Sequence, residues 1–153
     1  MALTVMFSFP AWAEETITGK AWVHDGDTIT VEGHKIRLVG IDAPELKQRC
    51  TTAGKQWNCG GLAKVALIRM VKGKQVSCRW DKLDKYHRLL ATCELPGGKN
   101  INRAMVTQGW AVAFMGSGQY TNDQEIARRN GKGIWNSIFL EPHEWRMQYK
   151  KLY

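Results

Sequence analysis

The first half of the chain alternates apolar and polar residues over short runs, a period-two pattern typical of β-strands. Three such runs follow one another at residues 17–24, 28–32 and 35–41. In the third run, Ile36 and Leu38 alternate with Arg37 and Val39. An Asp-Gly pair at 25–26 and a Glu-Gly pair at 32–33 supply turns between the runs. The pattern therefore predicts a meander of three strands.

The spacing of apolar residues changes after residue 60. Leu62, Val65, Ala66 and Met70 recur at the intervals of an amphipathic helix, and Gly73 is placed to end it. Residues 75–80 and 88–95 then return to strand-like patterns. This order predicts five strands, with a helix inserted between the third and the fourth.

Two further helices are predicted in the C-terminal part. Asn100 or Asn102 can cap a helix that runs toward Gly109, while Thr121 and Gln124 have capping-box spacing before a short helix that ends near residue 131. The predicted fold class is α+β, mainly β: a five-stranded OB-fold barrel packed with about three α-helices. With 153 residues there is room for one such domain, which we place at residues 14–153.

Residues 1–13 carry no charge and end in Ala11-Trp12-Ala13, the small-x-small pattern of signal-peptidase sites. The stretch is too short to span a bilayer and lacks a basic start. We interpret it as a signal-peptide remnant and expect Met1 to lie inside a longer leader. An apolar N-terminal strand is the alternative interpretation. The first interpretation predicts export, to the periplasm or beyond the cell.

Composition narrows the class of protein and its partners. Hydrophobic residues at 44% and charged residues at 24% are ordinary for a soluble globular domain, which argues against disorder and against a membrane-embedded body. The chain carries 22 Lys and Arg against 14 Asp and Glu, a formal charge of +8. Such an excess attracts nucleic acid, anionic membrane surfaces or acidic polysaccharides, but it also fits a basic surface without a polyanionic partner.

Four cysteines form an even set in a domain predicted to be exported, which favours two disulfides over a zinc site. Cys78 and Cys93 flank a segment whose middle resembles a hairpin connection, so folding it back would set them opposite each other. Cys50 and Cys59 then remain to pair across a short loop.

The densest cluster of chemically useful groups lies at residues 25–28 and 37–45. If the second and third strands pair, Asp27 at the start of one lies near Asp42 at the end of the other. Two carboxylates, a backbone carbonyl and water suit a hard divalent cation and leave room for a phosphate oxygen. Pro44 biases Ala43 to an extended conformation, which could present the Ala43 carbonyl as that backbone ligand.

Three further side chains complete a hydrolytic site. Glu45 follows Asp42 by three positions and could act as general base on a water near the cation. Arg37 and Arg88 could hold the reacting phosphate, because guanidiniums offer paired donors to oxygens whose charge grows during attack. Each segment alone also fits a polar turn or an exposed charge. Their joint occurrence favours metal-assisted phosphodiester hydrolysis.

Four motifs resemble the signatures of the staphylococcal nuclease family, in that family's order. They are Asp-Gly-Asp-Thr at 25–28, Arg-Leu-x-Gly-Ile-Asp-x-Pro-Glu at 37–45, Asp-Lys-Tyr-x-Arg at 84–88 and Gly-Ile-Trp at 133–135. The likeness covers roughly residues 16–137. It implies an OB-fold, one calcium ion (Ca²⁺), and endonucleolytic cleavage of DNA and RNA that leaves 3′-phosphate ends.

The resemblance also implies a role for each matching residue. The calcium ligands would be Asp27, Asp42 and the Ala43 carbonyl. The catalytic side chains would be Glu45, which serves the attacking water, and Arg37 with Arg88, which stabilise the transition state. The substrate would be contacted by Tyr86, Phe114 and Lys85, and the surroundings of the ion would be ordered by Asp25 and Thr28.

Three positions depart from the family pattern. Ala43 replaces a Thr, which matters little for a backbone ligand. His87 replaces the Gly between Tyr86 and Arg88, and a left-handed conformation there would cost about 1–2 kcal/mol and could re-aim Arg88. Phe114 stands where a second Tyr would contact the nucleotide, so ring stacking is kept and a hydroxyl is lost.

The remaining polar residues give weaker signals. His24, His34 and His143 show no metal-ligand spacing and are interpreted as surface or packing residues. The tryptophans are interpreted mainly as packing residues. Arg146 and the lysines at 150–151 are interpreted as a solvated tail that attracts phosphate without specificity.

One rival class of function stays open from sequence. A non-catalytic OB-fold module could bind nucleic acid or another polyanion, and a polysaccharide-binding surface protein is a further alternative. Binding-only relatives usually lack an acidic or arginine position, whereas this chain has all five: Asp27, Asp42, Glu45, Arg37 and Arg88. We therefore predict a metal-dependent hydrolase, by default a monomer, that acts on DNA and RNA.

Overall fold

The structure, a computed structural model, describes residues 14–114 and 118–149. The predicted signal-peptide remnant at 1–13 and the lysines at 150–151 lie outside the described residues. In chain order the elements are β1 (Glu15–Val23), β2 (Thr28–Val31), β3 (His34–Leu38), β4 (Ile41–Asp42), β5 (Cys50–Thr52), β6 (Lys55–Trp57), α1 (Cys59–Val71), β7 (Gln75–Leu83), β8 (Leu89–Leu95), β9 (Lys99–Asn100), α2 (Ile101–Thr107), β10 (Val112–Ala113), α3 (Thr121–Arg129), a 3₁₀ helix (Gly133–Asn136) and α4 (Pro142–Tyr149).

Five strands close into a barrel. The long strand β1 pairs antiparallel with both β2 and β7, β2 pairs antiparallel with β3, and β7 with β8. β3 then pairs with β8 in parallel, with Ile36 opposite Leu89, and this pairing closes the sheet on itself. The mixed, five-stranded barrel confirms the predicted α+β, mainly β, OB-type fold.

The barrel core is built from the inward faces of the strands and from the helices packed on them. Along β8, buried positions alternate with half-buried ones, as the two-residue period of a strand requires. Core side chains with no exposed surface come from both sources: Ile29, Ile36, Leu38, Leu67, Val76, Ala91 and Met105.

The first two helices begin at asparagine caps. α1 starts at Cys59, earlier than the predicted start at residue 62, because the Asn58 side chain accepts a hydrogen bond from the Gly61 amide. α2 is capped by Asn100, whose side-chain oxygen accepts from the Arg103 amide at 2.8 Å. Asn102, the other predicted cap, is instead buried inside the fold.

The capping-box prediction for α3 is wrong. Tyr120 occupies the position before the helix, and Thr121 is already its first residue. The Gln124 side chain does not return to the helix start; its Oε1 accepts a hydrogen bond from the Ala113 amide at 2.7 Å. The Gln124 side chain, which the spacing had matched to a cap, therefore forms a tertiary contact with β10 instead.

Both predicted disulfides are present. Cys78 and Cys93 are bonded across the β7–β8 pair, where they are register partners. Cys50 and Cys59 are bonded across 9 positions. Between them lies the β5–β6 hairpin, which the sequence analysis treated as a loop.

A fourth helix, α4, follows the 3₁₀ helix, which agrees with the prediction of about three helices, and it includes Arg146, which was predicted to lie in a solvated tail. In α4, the ring of Trp145 stacks on that of Tyr149, with 4.4 Å between centroids, and Pro142 is buried. The segment before it is tied to the hairpin by an isolated bridge between Thr51 and Ile138. Among the described residues, no helix has the length and apolar character to cross a membrane.

Candidate active site

The barrel brings the two predicted metal-binding carboxylates together. Thr28 pairs with Arg37 in the β2–β3 ladder, and the Leu38 amide donates to the Asp27 carbonyl at 2.9 Å. After the turn that follows β3, the chain returns so that the Ala43 amide donates to Asp27 Oδ2 at 2.7 Å. Asp27 and Asp42 are both buried. The predicted convergence of two acids at one end of these strands is therefore what the structure shows.

Arg37 lies between these carboxylates. Its Nη2 is 3.3 Å from Asp27 Oδ2 and 3.2 Å from Asp42 Oδ1, while its Nη1 donates to the Leu38 carbonyl at 2.8 Å. The two approaching loops need a residue without a side chain at Gly26, because a Cβ there would lie 2.6 Å from the Ala43 Cβ. Close backbone approach thus sets the spacing of the acids.

The electrostatics of Asp27 depend on its burial. Burial raises the pKa of Asp27 to about 7, Arg37 opposes this rise, and the neighbouring charges of Asp25 and Asp42 add to it. Asp27 is also contacted by Thr28, whose hydroxyl donates to Oδ1 at 3.1 Å. Asp25 holds the loop itself, accepting from the Asp27 amide at 3.0 Å. A cation beside Asp27 would favour its ionised form.

Glu45 lies in a loop whose backbone is fixed from two sides. The Glu45 amide donates to the side chain of Gln48 at 3.2 Å, and the Gln48 amide donates back to the Glu45 carbonyl at 2.8 Å. Gly60 lets the start of α1 approach, since a Cβ there would collide with the Glu45 carbonyl. Gln48 is fully buried, and its Nε2 donates to the Leu140 carbonyl at 2.7 Å.

Arg88 is held by the hairpin turn from which it projects. Asp84 accepts from the Arg88 amide at 3.0 Å and from its Nε at 2.7 Å. Burial raises the pKa of Asp84, but these hydrogen bonds and one from the Tyr86 amide outweigh burial and hold its pKa below the ordinary value. His87 has a φ of 59°, the left-handed conformation considered from sequence. The clamp from Asp84 keeps Arg88 directed at the site, with Nη1 3.5 Å from the Thr28 hydroxyl.

Both predicted phosphate-binding arginines line one cavity of about 280 Å³. Arg37 and Arg88 share it with Asp84 and with Phe114, whose ring is 51% exposed. Tyr86 lies on the exposed turn beside this cavity, and the Arg88 guanidinium is 5.6 Å from its ring centroid. The cavity thus has two cations and flanking aromatic rings.

Lys85 does not line that cavity. Its ammonium lies 5.1 Å from the centroid of the Tyr86 ring, on the outside of the turn. Of the residues predicted to contact substrate, Phe114 lines the cavity, whereas Tyr86 and Lys85 lie outside it.

Two buried side chains, Gln48 and Asn102, hold the backbone around the site, and the sequence analysis assigned neither of them a role there. Asn102 donates to the carbonyls of Val39 and Ala91 at 2.9 and 3.0 Å and accepts from the Cys93 amide at 3.0 Å. It thereby fixes the turn after β3. Full burial of an Asn or Gln side chain indicates such a structural role, but the sequence alone does not show which Asn or Gln side chains are buried.

The prediction that Arg146 is part of a solvated tail is wrong. Nη1 of Arg146 lies 2.9 Å from Asp42 Oδ1 and 2.8 Å from Glu45 Oε1, and its Nη2 lies 2.9 Å from Asp42 Oδ2. Its pKa is raised, first by the hydrogen bond with Asp42. No sequence signal indicated this contact, because 104 positions separate the partners.

The oxygen donors predicted for the site suit a hard cation. Asp27 and Asp42 would supply carboxylates, and Ala43 would supply a backbone carbonyl. Across the described ranges, no group of three or more His, Cys, Asp or Glu side chains is arranged to hold one metal ion. Carboxylates alone would therefore give an incomplete shell, and a backbone oxygen, water and a phosphate oxygen would have to complete it.

The histidines outside the site match their interpretation as surface or packing residues. His24 shares a hydrogen bond of 2.8 Å with the Thr30 hydroxyl, and His143 Nδ1 lies 3.5 Å from Glu141. Neither contact belongs to the carboxylate cluster.

Comparison with known proteins agrees with this geometry. The family model of staphylococcal nuclease homologues matches residues 35–137. A micrococcal nuclease from Shigella flexneri is 32% identical over an alignment of 170 positions, which covers 97% of this chain and 90% of that protein. An uncharacterized endonuclease from Escherichia coli O157:H7 is 32% identical, with 92% of each chain covered. A succinoglycan biosynthesis protein, ExoI, from Rhizobium meliloti is 34% identical, with 87% of this chain and 72% of that protein covered. The chain therefore belongs to the family of staphylococcal nuclease homologues.

Proposed function

We propose that this protein is an exported, calcium-dependent endonuclease that hydrolyses phosphodiester bonds of DNA and RNA and leaves 3′-phosphate ends. The observation that carries the proposal is the arrangement of Arg37 and Arg88 along one cavity, with Asp27 and Asp42 beside Arg37 and with Glu45 joined to Asp42 through Arg146. An anionic substrate, a cation and an attacking water each have matching groups there. The micrococcal nuclease and endonuclease names of the relatives support the same class of reaction.

The proposed chemistry uses each side chain once. Asp27, Asp42 and the Ala43 carbonyl would hold Ca²⁺, which would supply neutralisation of the phosphate charge when bound. Glu45 accepts a proton as water attacks the phosphorus. Arg37 and Arg88 stabilise the charge that grows on the phosphate oxygens.

Bond cleavage follows from that attack. The bond from phosphorus to the 5′-oxygen breaks, and the departing 5′-oxygen takes up a proton. One strand end then carries a 3′-phosphate and the other a 5′-hydroxyl. Phe114 and Tyr86 would stack on bases beside the cleaved bond, and Lys85 would add positive charge next to Tyr86.

Export is proposed from two features, the disulfides and the uncharged segment at residues 1–13. Two disulfides, Cys50–Cys59 and Cys78–Cys93, suit an oxidising compartment. The uncharged segment at 1–13 supports the same assignment as a signal-peptide remnant. We further propose that the protein acts as a monomer.

The first test is digestion of single-stranded DNA, double-stranded DNA and RNA by the purified chain. We expect cleavage with calcium and none with chelator, and products that accept a 5′-label from polynucleotide kinase without prior phosphatase treatment. Glu45→Ser and Arg88→Ala should each lower the rate by at least about 100-fold, since each removes a group that acts on the reacting atoms.

Arg129→Ala is the matched control for charge, because Arg129 is exposed on α3 and belongs to no part of the site. It should cleave like the unmodified protein. Tight, salt-sensitive binding of nucleic acid without cleavage under any divalent metal would reject the enzyme and leave a nucleic-acid-binding module.

A further inference from the structure

Helix α4 carries a third arginine to the carboxylates of the site. The guanidinium of Arg146 forms paired contacts with both oxygens of Asp42, at 2.9 Å each. The Nη1 that contacts Asp42 also lies 2.8 Å from Glu45 Oε1. One planar group therefore fixes the distance between a proposed calcium ligand and the proposed general base.

The anchoring of α4 makes this contact part of the fold. The carbonyl of Leu140, just before the helix, accepts from the buried side chain of Gln48, and Gln48 in turn holds the backbone of Glu45. Thr51 and Ile138 exchange backbone hydrogen bonds of 2.9 and 2.8 Å a few residues earlier. The loop of Glu45 and the helix of Arg146 are thus attached to the same frame.

The contacts of Arg146 leave acceptor positions on Asp42 and Glu45 for a cation and a water. A carboxylate offers about four acceptor positions. At Asp42, Arg146 and Arg37 account for three: Oδ1 accepts from both arginines and Oδ2 from Arg146. Oδ2 keeps one position, and the contact with Glu45 is made through Oε1. Arg146 can therefore stay in place while the site is loaded.

Charge argues against a role in attracting the cation. Arg146 places a positive group within hydrogen-bond distance of both carboxylates, and like charges repel. Its presence lowers the affinity for a divalent cation at the same site. What it supplies is orientation: Asp42 is 1% exposed, whereas the side chain of Glu45 is 34% exposed and would otherwise rotate.

We propose that Arg146 is a positioning residue that acts through Glu45, holding its carboxylate beside Asp42 so that it meets the attacking water. This inference rests on the proposed nuclease activity. It assigns a role in the reaction to the C-terminal helix.

The first experiment compares Arg146→Gln, Arg146→Lys and Arg129→Gln in steady-state cleavage of DNA. Arg146→Gln should lower kcat by about 10- to 100-fold and change KM by less than about 3-fold, since substrate contacts remain. Arg146→Lys should regain only part of the rate, because an ammonium cannot span two carboxylates as a fork does. Arg129→Gln removes the same charge and should match the unmodified protein.

A double-mutant cycle tests whether Arg146 acts through Glu45. In a Glu45→Gln background, Arg146→Gln should lower kcat by less than about 3-fold further, because the base that Arg146 positions is already gone. Losses that multiply in the double variant would mean that Arg146 acts independently, on phosphate for example, and would overturn the inference.

Calcium binding without substrate gives a readout that does not depend on turnover. By calorimetric titration, Arg146→Gln should bind calcium at least as tightly as the unmodified protein. Binding weakened more than about 3-fold would overturn the positioning role and assign Arg146 to the architecture of the cation site. Circular dichroism checks that each variant is folded, and Arg146→Lys is carried through all measurements in case Arg146→Gln is not.

The two levels of proposal fail in different ways. An unmodified protein that does not cleave under any metal overturns both. An active protein whose Arg146→Gln variant keeps full kcat overturns this inference alone.

Discussion

His87 has a φ of 59° in the turn between β7 and β8, a conformation that costs a residue with a Cβ about 1–2 kcal/mol relative to glycine. The turn tolerates this because Asp84 accepts hydrogen bonds from the amides of Tyr86 and Arg88 and from the Arg88 side chain. Local strain at one residue and a clamp at another together fix the direction of Arg88.

At position 87 a glycine should therefore give a more stable protein than an alanine, the reverse of their usual order of stability. We expect His87→Gly to be more stable than His87→Ala by about 0.5–1 kcal/mol, because alanine keeps the cost of positive φ that glycine avoids. Urea unfolding of both variants measures the difference. An alanine variant as stable as the glycine variant would mean that the turn relaxes to another conformation.

Asp84 gives a prediction with a definite dependence on pH. Its pKa is lowered in the fold, so its ionised form adds stability above its unfolded pKa of about 4 and loses that contribution as pH falls through the folded value. Asp84→Asn should cost about 2 kcal/mol at pH 7, the range of hydrogen bonds to a charged group. The cost should shrink steadily below pH 4.

Denaturant unfolding of the unmodified and Asp84→Asn proteins between pH 2.5 and 7 makes this measurement. The neighbouring exposed residue Asp81 provides a control, since Asp81→Asn removes the same charge outside the clamp. The two proteins could instead differ in free energy of unfolding by the same amount at every pH. That result would show that the charge of Asp84 is irrelevant to the clamp.

At the scale of elements, the strands differ from the helices in how well their pattern predicts their role. Ile36 and Leu38, the apolar residues that alternate with Arg37 and Val39 in the sequence, are both buried, because a strand in a small barrel has one face in the core. The helices depend more on neighbours. Gln124 matches a capping box in spacing, yet it bonds to the Ala113 amide, and Asn102 matches a cap but bonds to Val39 and Ala91 instead.

The two disulfides connect different elements and should have separable effects. Cys78–Cys93 joins β7 to β8 within the barrel, whereas Cys50–Cys59 joins the β5–β6 hairpin to the start of α1, next to the loop of Glu45. With 15 and 9 positions between the partners, chain entropy gives each about 3 kcal/mol of stability.

Replacing either pair by alanine should therefore lower stability by about 2–3 kcal/mol. Only the Cys50→Ala, Cys59→Ala variant should also have a lower kcat at temperatures well below its midpoint of thermal unfolding. The reason is that its hairpin supports the Glu45 loop and the segment before α4. Thermal unfolding and cleavage rates at 20 °C separate the two effects. Equal losses of kcat in both double variants would contradict a local role for the hairpin.

At the scale of the whole molecule, the site is assembled from both ends of the chain. Asp27 comes from the connection between β1 and β2, Arg88 from the connection between β7 and β8, and Arg146 from α4. The excess of positive charge, +8 overall, suits the capture of a polyanion. At the site itself, Arg37 and Arg146 contact the carboxylates. In the proposed function the overall positive charge would attract the substrate, and the arginines at the site would orient it.

The sequence by itself predicted five strands with an inserted helix, the barrel class, both disulfide pairings and the convergence of Asp27 and Asp42, and it supplied the proposed roles of the five charged residues. These are readable because strand alternation is local and because the motifs lie within short segments that a five-stranded barrel must bring together. The burial of Asn102 and Gln48, the redirected Gln124 and the contact of Arg146 with Asp42 and Glu45 were decided only by tertiary structure. Each depends on residues far apart in sequence meeting in a desolvated environment, where an unpaired polar group is costly, and no local pattern records which partner it will find.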